Sequence, residues 1–150
     1  MASGELRNFW RNGNQMCLDS AAKKNDLHKP VGVYPCHNQV LIYRNMNITQ
    51  LEFVQGGNQY WMLSKEGEIR RDEACLDYAG AGSKVILFNC HGSKGNQEWV
   101  YNHDAKILKH ASSGKCLELK ESKDGLEMKQ CDHKEERQQW RFKTFNGTHT

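Results

Sequence analysis

The sequence repeats one phrase three times: a Cys-Leu-acidic triplet, a second cysteine, and then Gln-x-Trp. A unit of about forty residues is too small to bury its own hydrophobic side chains, so the three copies are expected to share one core. The length of 150 residues with 37% hydrophobic residues fits a single domain of that kind. The copies are Cys17-Leu18-Asp19, Cys36 and Gln59-Tyr60-Trp61; Cys75-Leu76-Asp77, Cys90 and Gln97-Glu98-Trp99; and Cys116-Leu117-Glu118, Cys131 and Gln138-Gln139-Trp140.

All six cysteines belong to these copies, and the two within a copy lie 19, 15 and 15 positions apart. The even number and the matched spacing predict three disulfides, one per copy. The adjacent pairs Cys36-His37 and Cys90-His91 raise zinc as the alternative. No Cys-x-x-Cys is present, however, and neighbouring residues do not readily share one tetrahedral ion, so we expect no metal. The predicted pairs are Cys17 with Cys36, Cys75 with Cys90, and Cys116 with Cys131.

Disulfides indicate an oxidising compartment, and sequons at Asn47 and Asn146 are candidate glycosylation sites in the secretory pathway. The first residues, 1–3, have no signal-like apolar region and are expected to derive from an expression vector, with the natural targeting signal upstream. No stretch is long enough to predict membrane contact. The net charge of +3 comes from scattered lysines without a basic, aromatic-rich stripe, so nucleic-acid binding is not predicted.

Short hydrophobic runs bounded by Gly, Asn, Ser and Asp predict β-strands around the cysteines. Sustained helical periodicity is absent, so the expected fold class is all-β with minor helices. The predicted strands include residues 4–7, 67–70 and 107–110, and the runs 31–34, 85–88 and 126–129 before each second cysteine.

Copy one is longer than the others. The second cysteine precedes the tryptophan by nine residues in copies two and three, and by 25 in copy one. An insertion of sixteen residues, Val40–Gln55, accounts for the difference. Its apolar ends and polar middle fit either a protruding hairpin with Asn45–Asn47 at the tip or a loop that packs over its own repeat.

With these motifs the chain resembles the ricin-type β-trefoil lectins. The phrases Val31–His37, Gly56–Gln59 and Cys90–Gln97 are most similar to the C-terminal lectin domain of the polypeptide N-acetylgalactosaminyltransferases. The resemblance implies a β-trefoil of twelve strands with pseudo-threefold symmetry. We expect one domain over residues 4–145, with repeats at about 4–64, with the insertion at 40–55, then 65–104 and 105–145.

The resemblance also implies which residues would hold a sugar. They are the acid of the Cys-Leu-acid triplet, the aromatic two residues before the second cysteine, the histidine after it, and the asparagine before Gln-x-Trp. Carboxylate, aromatic plate, imidazole and amide are the groups that a sugar ring requires. Copy two offers Asp77, Phe88, His91 and Asn96; copy one offers Asp19, Tyr34, His37 and Asn58; copy three has Glu118, Lys129, Asp132 and Arg137 in their places.

We therefore predict carbohydrate binding by copies two and one and none by copy three. The insertion between His37 and Asn58 leaves open whether copy one is elaborated or blocked. Other readings remain for shared residues. The repeated leucines and tryptophans are better explained as core, the glutamines as partners of backbone groups at strand ends, and Asp19 and Asp77 could be turn-capping carboxylates.

By resemblance, the segment is a non-catalytic, monomeric module that recognises GalNAc or, more weakly, galactose. Its partners would be GalNAc-bearing glycopeptides and an upstream catalytic domain in the Golgi lumen. This segment is expected to need no cofactor, whereas the parent transferase would use a divalent metal such as Mn in its own catalytic domain. The alternatives are a free-standing lectin or toxin-type subunit, and a trefoil that binds protein alone. Paired carboxylates placed to cleave a glycosidic bond, and other catalytic motifs, are not found in the sequence.

Overall fold

The computed structural model describes residues 2–10, 16–20, 27–36 and 58–143, and within these ranges it is all-β. The insertion Val40–Gln55, His37 and the sequon residues Asn47 and Asn146 lie outside the described residues. The described strands are β1 (Ala2–Asn8), β2 (Met16–Asp19), β3 (Gly32–Pro35), β4 (Trp61–Leu63), β5 (Ile69–Arg71), β6 (Ala74–Asp77), β7 (Ile86–Asn89), β8 (Trp99–Asn102), β9 (Ile107–His110), β10 (Lys115–Leu119), β11 (Leu126–Gln130) and β12 (Trp140–Lys143). Two 3-10 turns, Gly95–Gln97 and Glu136–Gln138, precede β8 and β12.

Six strands form a closed barrel in the order β12, β1, β4, β5, β8, β9. Antiparallel pairing joins β12 to β1, β1 to β4, β4 to β5, and β8 to β9. The remaining joints are short: the Trp99 amide donates to the Gly67 carbonyl over 2.8 Å, and Ile107 bridges to Gln139. Closure leaves the barrel without a free edge.

Three hairpins, β2–β3, β6–β7 and β10–β11, complete the repeats. Each carries one of the predicted disulfides, and all three pairings are confirmed, with Cα–Cα distances of 5.0, 5.1 and 5.0 Å. No cysteine is free, which rules out thiolate zinc ligands. Strands β3 and β7 begin one residue later than predicted. The residues just before them bond each other, with the Val31 amide donating to the Val85 carbonyl between repeats.

The shared core is built from the repeated motif residues, as predicted. The three motif tryptophans are at most 1% exposed and the three motif leucines are fully buried. Each indole Nε1 donates to the carbonyl of its own repeat's leucine over 3.0 to 3.1 Å. The motif thus joins a large apolar ring to a fixed backbone position, satisfying the polar edge of the indole. The pairs are Trp61 with Leu18, Trp99 with Leu76, and Trp140 with Leu117.

Candidate functional site

The motif glutamine holds the motif acid in every repeat. Its Nε2 donates to a carboxylate oxygen over 2.9 Å in each case: Gln59 to Asp19, Gln97 to Asp77, and Gln138 to Glu118. The same nitrogen also donates to the carbonyl just before the second cysteine, at 2.9 to 3.1 Å. The glutamines therefore satisfy backbone groups, as predicted, and also orient the carboxylates. Because Asp19 and Asp77 each accept from a glutamine side chain, they do more than cap their own turns.

In repeat two the four predicted site residues converge around Gln97. Asp77 ends β6 with 7% of its surface exposed, and Phe88 lies half-buried on the paired strand β7. The Gln97 Oε1 accepts from the His91 amide over 3.2 Å. Asn96 is its neighbour in the 3-10 turn, and the Asn96 carbonyl accepts from the Tyr78 amide over 3.1 Å. One buried glutamine thus connects the segments that carry the acid, the imidazole and the amide.

The tautomer of the His91 imidazole follows from its hydrogen-bond partner. The His91 Nδ1 accepts from the Ser93 amide over 2.9 Å, so the neutral ring carries its proton on Nε2. His91 and Asn96 are both exposed. Repeat two therefore combines a buried carboxylate, a half-buried aromatic ring, an exposed imidazole and an exposed amide, which are groups that can suit sugar hydroxyls and a C–H face.

Repeat one contributes a residue to this site that the sequence analysis missed. The His28 ring lies 4.7 Å from the Phe88 ring, tilted by 45°. It is held there by its own amide, which donates to the Leu87 carbonyl over 2.8 Å, and by a backbone φ of 80°. Pro30 bridges to Ile86 beside it. Nothing within repeat two signals this contact, because it comes from the longer β2–β3 connection of repeat one.

The predicted sugar-site residues of repeat one are only partly within the described ranges. Asp19 and Asn58 occupy positions matching those in repeat two, with the Asn58 carbonyl accepting from the Ser20 amide over 3.0 Å. Tyr34, on β3, is 58% exposed. His37 lies outside the described residues. Nearby, burial lowers the pKa of the Arg71 guanidinium, while the charge of Asp19 acts to raise it, coupling this arginine to the site.

Comparison with known proteins decides the family. The sequence model of the ricin-type β-trefoil lectin domain matches residues 2–140. The chain belongs to this family of lectin domains. It is 49% identical over 148 residues to the putative polypeptide N-acetylgalactosaminyltransferase 9 of Drosophila melanogaster, covering 99% of this chain and 20% of that protein. It is 47% identical to polypeptide N-acetylgalactosaminyltransferase 5 of Caenorhabditis elegans, covering 97% and 20%.

The lectin domain thus spans about a fifth of the length of these transferases and aligns with their lectin part alone. Among solved structures, that of GalNAc-T7 with UDP, GalNAc and Mn²⁺ matches with a TM-score of 0.75 and 26% identity, covering 99% of this chain and 23% of that one. The segment is therefore the non-catalytic part of such an architecture. No cofactor is evident for it.

Repeat three of the lectin domain fills its site with its own side chains. The Arg137 guanidinium, in place of the asparagine, lies 3.3 Å from the Glu118 carboxylate and 3.1 Å from that of Glu135. Lys129, in place of the aromatic, pairs with Glu127 at 3.7 Å. Arg137 and Glu118 thus pair with each other, whereas Lys129 pairs with a residue outside the predicted set, and a lysine stands where repeat two has an aromatic ring.

Among the described residues, only Glu68, Cys75 and Cys90 bring potential metal-ligand atoms together, and there the two sulfurs are bonded to each other. No helix in the same ranges is long and apolar enough to span a bilayer.

Proposed function

We propose that this lectin domain binds terminal GalNAc, and galactose more weakly, through repeat two around Asp77 and through repeat one around Asp19. The observation that carries the proposal is the contrast between repeats. Gln97 and Gln138 hold their acids at the same distance of 2.9 Å. Repeat two has an aromatic, a histidine and an asparagine at the positions predicted to bind sugar, whereas repeat three has a lysine, an aspartate and an arginine there. The solved GalNAc-T7 relative contains GalNAc, which agrees with this choice of sugar.

We infer further that the domain serves a polypeptide N-acetylgalactosaminyltransferase in the secretory pathway, directing its catalytic domain to glycopeptides. A shallow sugar site has millimolar affinity, about −4 kcal/mol, which is too weak to retain a substrate alone. Tethering to a catalytic domain converts the second encounter into an intramolecular one at millimolar effective concentration. A peptide that already carries one sugar is then held while another residue is modified.

Nuclear magnetic resonance titration tests the sugar assignment, since it measures millimolar binding and separates the two sites. A GalNAc-bearing peptide should shift resonances around repeats one and two, and the unglycosylated peptide should not. Asp77→Asn should weaken the repeat-two site at least about tenfold, because a charge-assisted hydrogen bond is lost. The replacement amide oxygen can still accept from Gln97, so folding should be preserved.

Asp19→Asn should act in the same way on repeat one, and Glu118→Gln serves as the matched control that leaves sugar binding unchanged. If the wild-type domain shows no binding to any peptide or glycan with terminal GalNAc or galactose, the lectin assignment is wrong. In a full-length transferase, Asp77→Asn combined with Asp19→Asn should lower activity on glycopeptides and spare activity on unglycosylated peptides.

A further inference from the structure

His110 is a buried titratable group that lies outside the predicted sugar-site residues. It ends β9 in repeat three with 1% of its surface exposed, and its ring contacts Tyr78 and Trp99 with centroid distances of 5.1 and 4.8 Å. Its two ring nitrogens are both engaged: Nε2 lies 2.9 Å from the Asn96 carbonyl and Nδ1 lies 2.8 Å from the Ser113 hydroxyl. A repeat-three side chain therefore holds the backbone of a repeat-two site residue.

The direction of these bonds follows from the partners. A carbonyl can only accept, so Nε2 carries the proton and donates to Asn96, and Nδ1 accepts from Ser113. The Ser113 oxygen also accepts from the Lys115 amide over 3.2 Å. The Asn96 carbonyl selects the tautomer, and the Ser113 hydroxyl, which can donate or accept, donates to Nδ1 of the neutral ring.

The other repeats use different residues at the same position. Strand register pairs Arg7, Arg70 and Lys109 with the first cysteine of each repeat, so the next residues, Asn8, Arg71 and His110, are equivalent. Each donates a bond into the preceding repeat around the barrel. The Asn8 Nδ2 donates to the Arg137 carbonyl over 2.9 Å, and the Arg71 guanidinium donates to the Ser20 carbonyl over 2.7 Å.

We propose that His110 is a positioning residue for the sugar site of repeat two, acting through the carbonyl of Asn96. Asn96 stands in the three-residue turn Gly95–Gln97, which follows Lys94 at φ 63° and begins with Gly95 at φ 52°, outside the strand pairing of the sheets. Its carbonyl is fixed by two donors, the Tyr78 amide and the His110 imidazole. The imidazole therefore sets where the Asn96 amide stands relative to Asp77. This inference rests on the proposed sugar binding of repeat two.

Protonation should disturb this arrangement, although Nε2 keeps its proton and its bond to the Asn96 carbonyl. A second ring proton puts a charge between two aromatic rings and turns Nδ1 from acceptor to donor, so that the Ser113 hydroxyl would have to turn and accept. Burial disfavours that charge and lowers the pKa of His110, while the Asn96 bond and the charges of Asp77 and Glu98 act in the opposite direction. The groups that face the imidazole are Asp77 and Tyr78 at the end of β6, Asn96, Glu98 and Trp99 before and in β8, and Ser113 after β9.

The test isolates repeat two in an Asp19→Asn background and measures its affinity for a GalNAc-bearing peptide by titration at pH about 7.5. His110→Leu fills the space without a donor and should weaken binding about two- to twelvefold, the range that one hydrogen bond is worth. His110→Asn keeps a donor of the kind Asn8 supplies in repeat one and should recover most of the loss.

Asn8→Leu is the matched control. It removes the equivalent bond to the Arg137 carbonyl of repeat three, which lacks the residues predicted to bind sugar. It should lower stability and leave the affinity of repeat two unchanged. If Asn8→Leu and His110→Leu weaken sugar binding equally, His110 only stabilises the fold and does not position the repeat-two site. If His110→Leu folds and its affinity is unchanged, while Asp77→Asn still weakens binding, the inference about His110 is overturned and the proposed function is not. Absence of wild-type binding overturns the proposed function instead.

A pH profile decides the matter if His110→Leu does not fold. Affinity should fall more steeply between pH about 7.5 and 5.5 with His110 than with His110→Asn. Identical profiles would overturn the inference.

Discussion

Glu118 keeps the structural contact of the motif acid in a repeat that lacks the residues predicted to bind sugar. It still accepts from Gln138 over 2.9 Å, so the structural half of the motif is intact. Its second oxygen lies 3.3 Å from Arg137, whose guanidinium lies 5.7 Å above the Trp10 ring and also bonds Glu135. A carboxylate satisfied by its own chain has less to gain from a sugar hydroxyl. The pair is an alternative use of the same backbone position.

Removing that arginine should therefore cost stability. Arg137→Met leaves the 5%-exposed Glu118 without its cationic partner, and we expect a loss of about 1.5 to 3 kcal/mol in the free energy of unfolding at pH 7. Lys129→Met breaks the exposed pair with Glu127 and should cost under about 1 kcal/mol. Urea unfolding of both variants measures the difference. Equal losses would mean that Glu118 gains nothing from its pairing.

His110 also makes stability depend on pH. Because burial lowers its pKa below the ordinary value of about 6.5, the unfolded chain takes up a proton at a pH where the folded chain does not. The free energy of unfolding should therefore fall as the pH drops below about 6.5, until the folded-state pKa is reached. Denaturant unfolding from pH 7.5 to 5 should show a shallower decline for His110→Asn. A parallel decline in both chains would contradict this assignment.

At the scale of strands, the sequence predicted what each repeat does internally. The Cys-Leu-acid and Gln-x-Trp phrases identified the buried tryptophans and the disulfides, because these contacts recur in every copy. Contacts between repeats were not predictable in the same way. His28 contacts Phe88, and His110 contacts Asn96, each from a different repeat. Aligning the copies shows which positions are equivalent, but it does not show which residues of neighbouring repeats touch each other.

One joint between strands depends on the backbone freedom of glycine. Gly67 has φ 90°, and a Cβ there would lie 2.9 Å from the carbonyl oxygen of Trp99, to whose amide Gly67 itself bonds. Gly67→Ala should destabilise the domain by about 2 to 3 kcal/mol, through both strain and this contact. Gly82→Ala, with φ 84° and open space around it, should cost only about 1 kcal/mol. Thermal unfolding compares them, and equal costs would show that contact with Trp99 is unimportant.

Across the whole molecule, the three repeats share the residues that stabilise the fold and differ in the residues proposed to bind sugar. The barrel, the three indole bonds and the three disulfides are repeated almost unchanged. The groups suited to a sugar are not: repeat two has the full set, repeat one is interrupted by an insertion, and repeat three replaces it. A core shared by three units should let each surface change separately.

That separation can be tested with the disulfides. Cys75–Cys90 and Cys116–Cys131 both span 15 residues, so removing either by paired Cys→Ser substitution should cost a similar amount, about 3 kcal/mol. Only removal of Cys75–Cys90 should also weaken sugar binding, because Phe88 and His91 flank Cys90. Cys116–Cys131 lies in repeat three, which lacks the residues predicted to bind sugar. Urea unfolding gives the stability of each variant, and glycopeptide titration in the Asp19→Asn background gives its affinity. Equal loss of affinity in both would mean that the repeats are coupled through the core, and that the symmetric scaffold does not insulate one site from another.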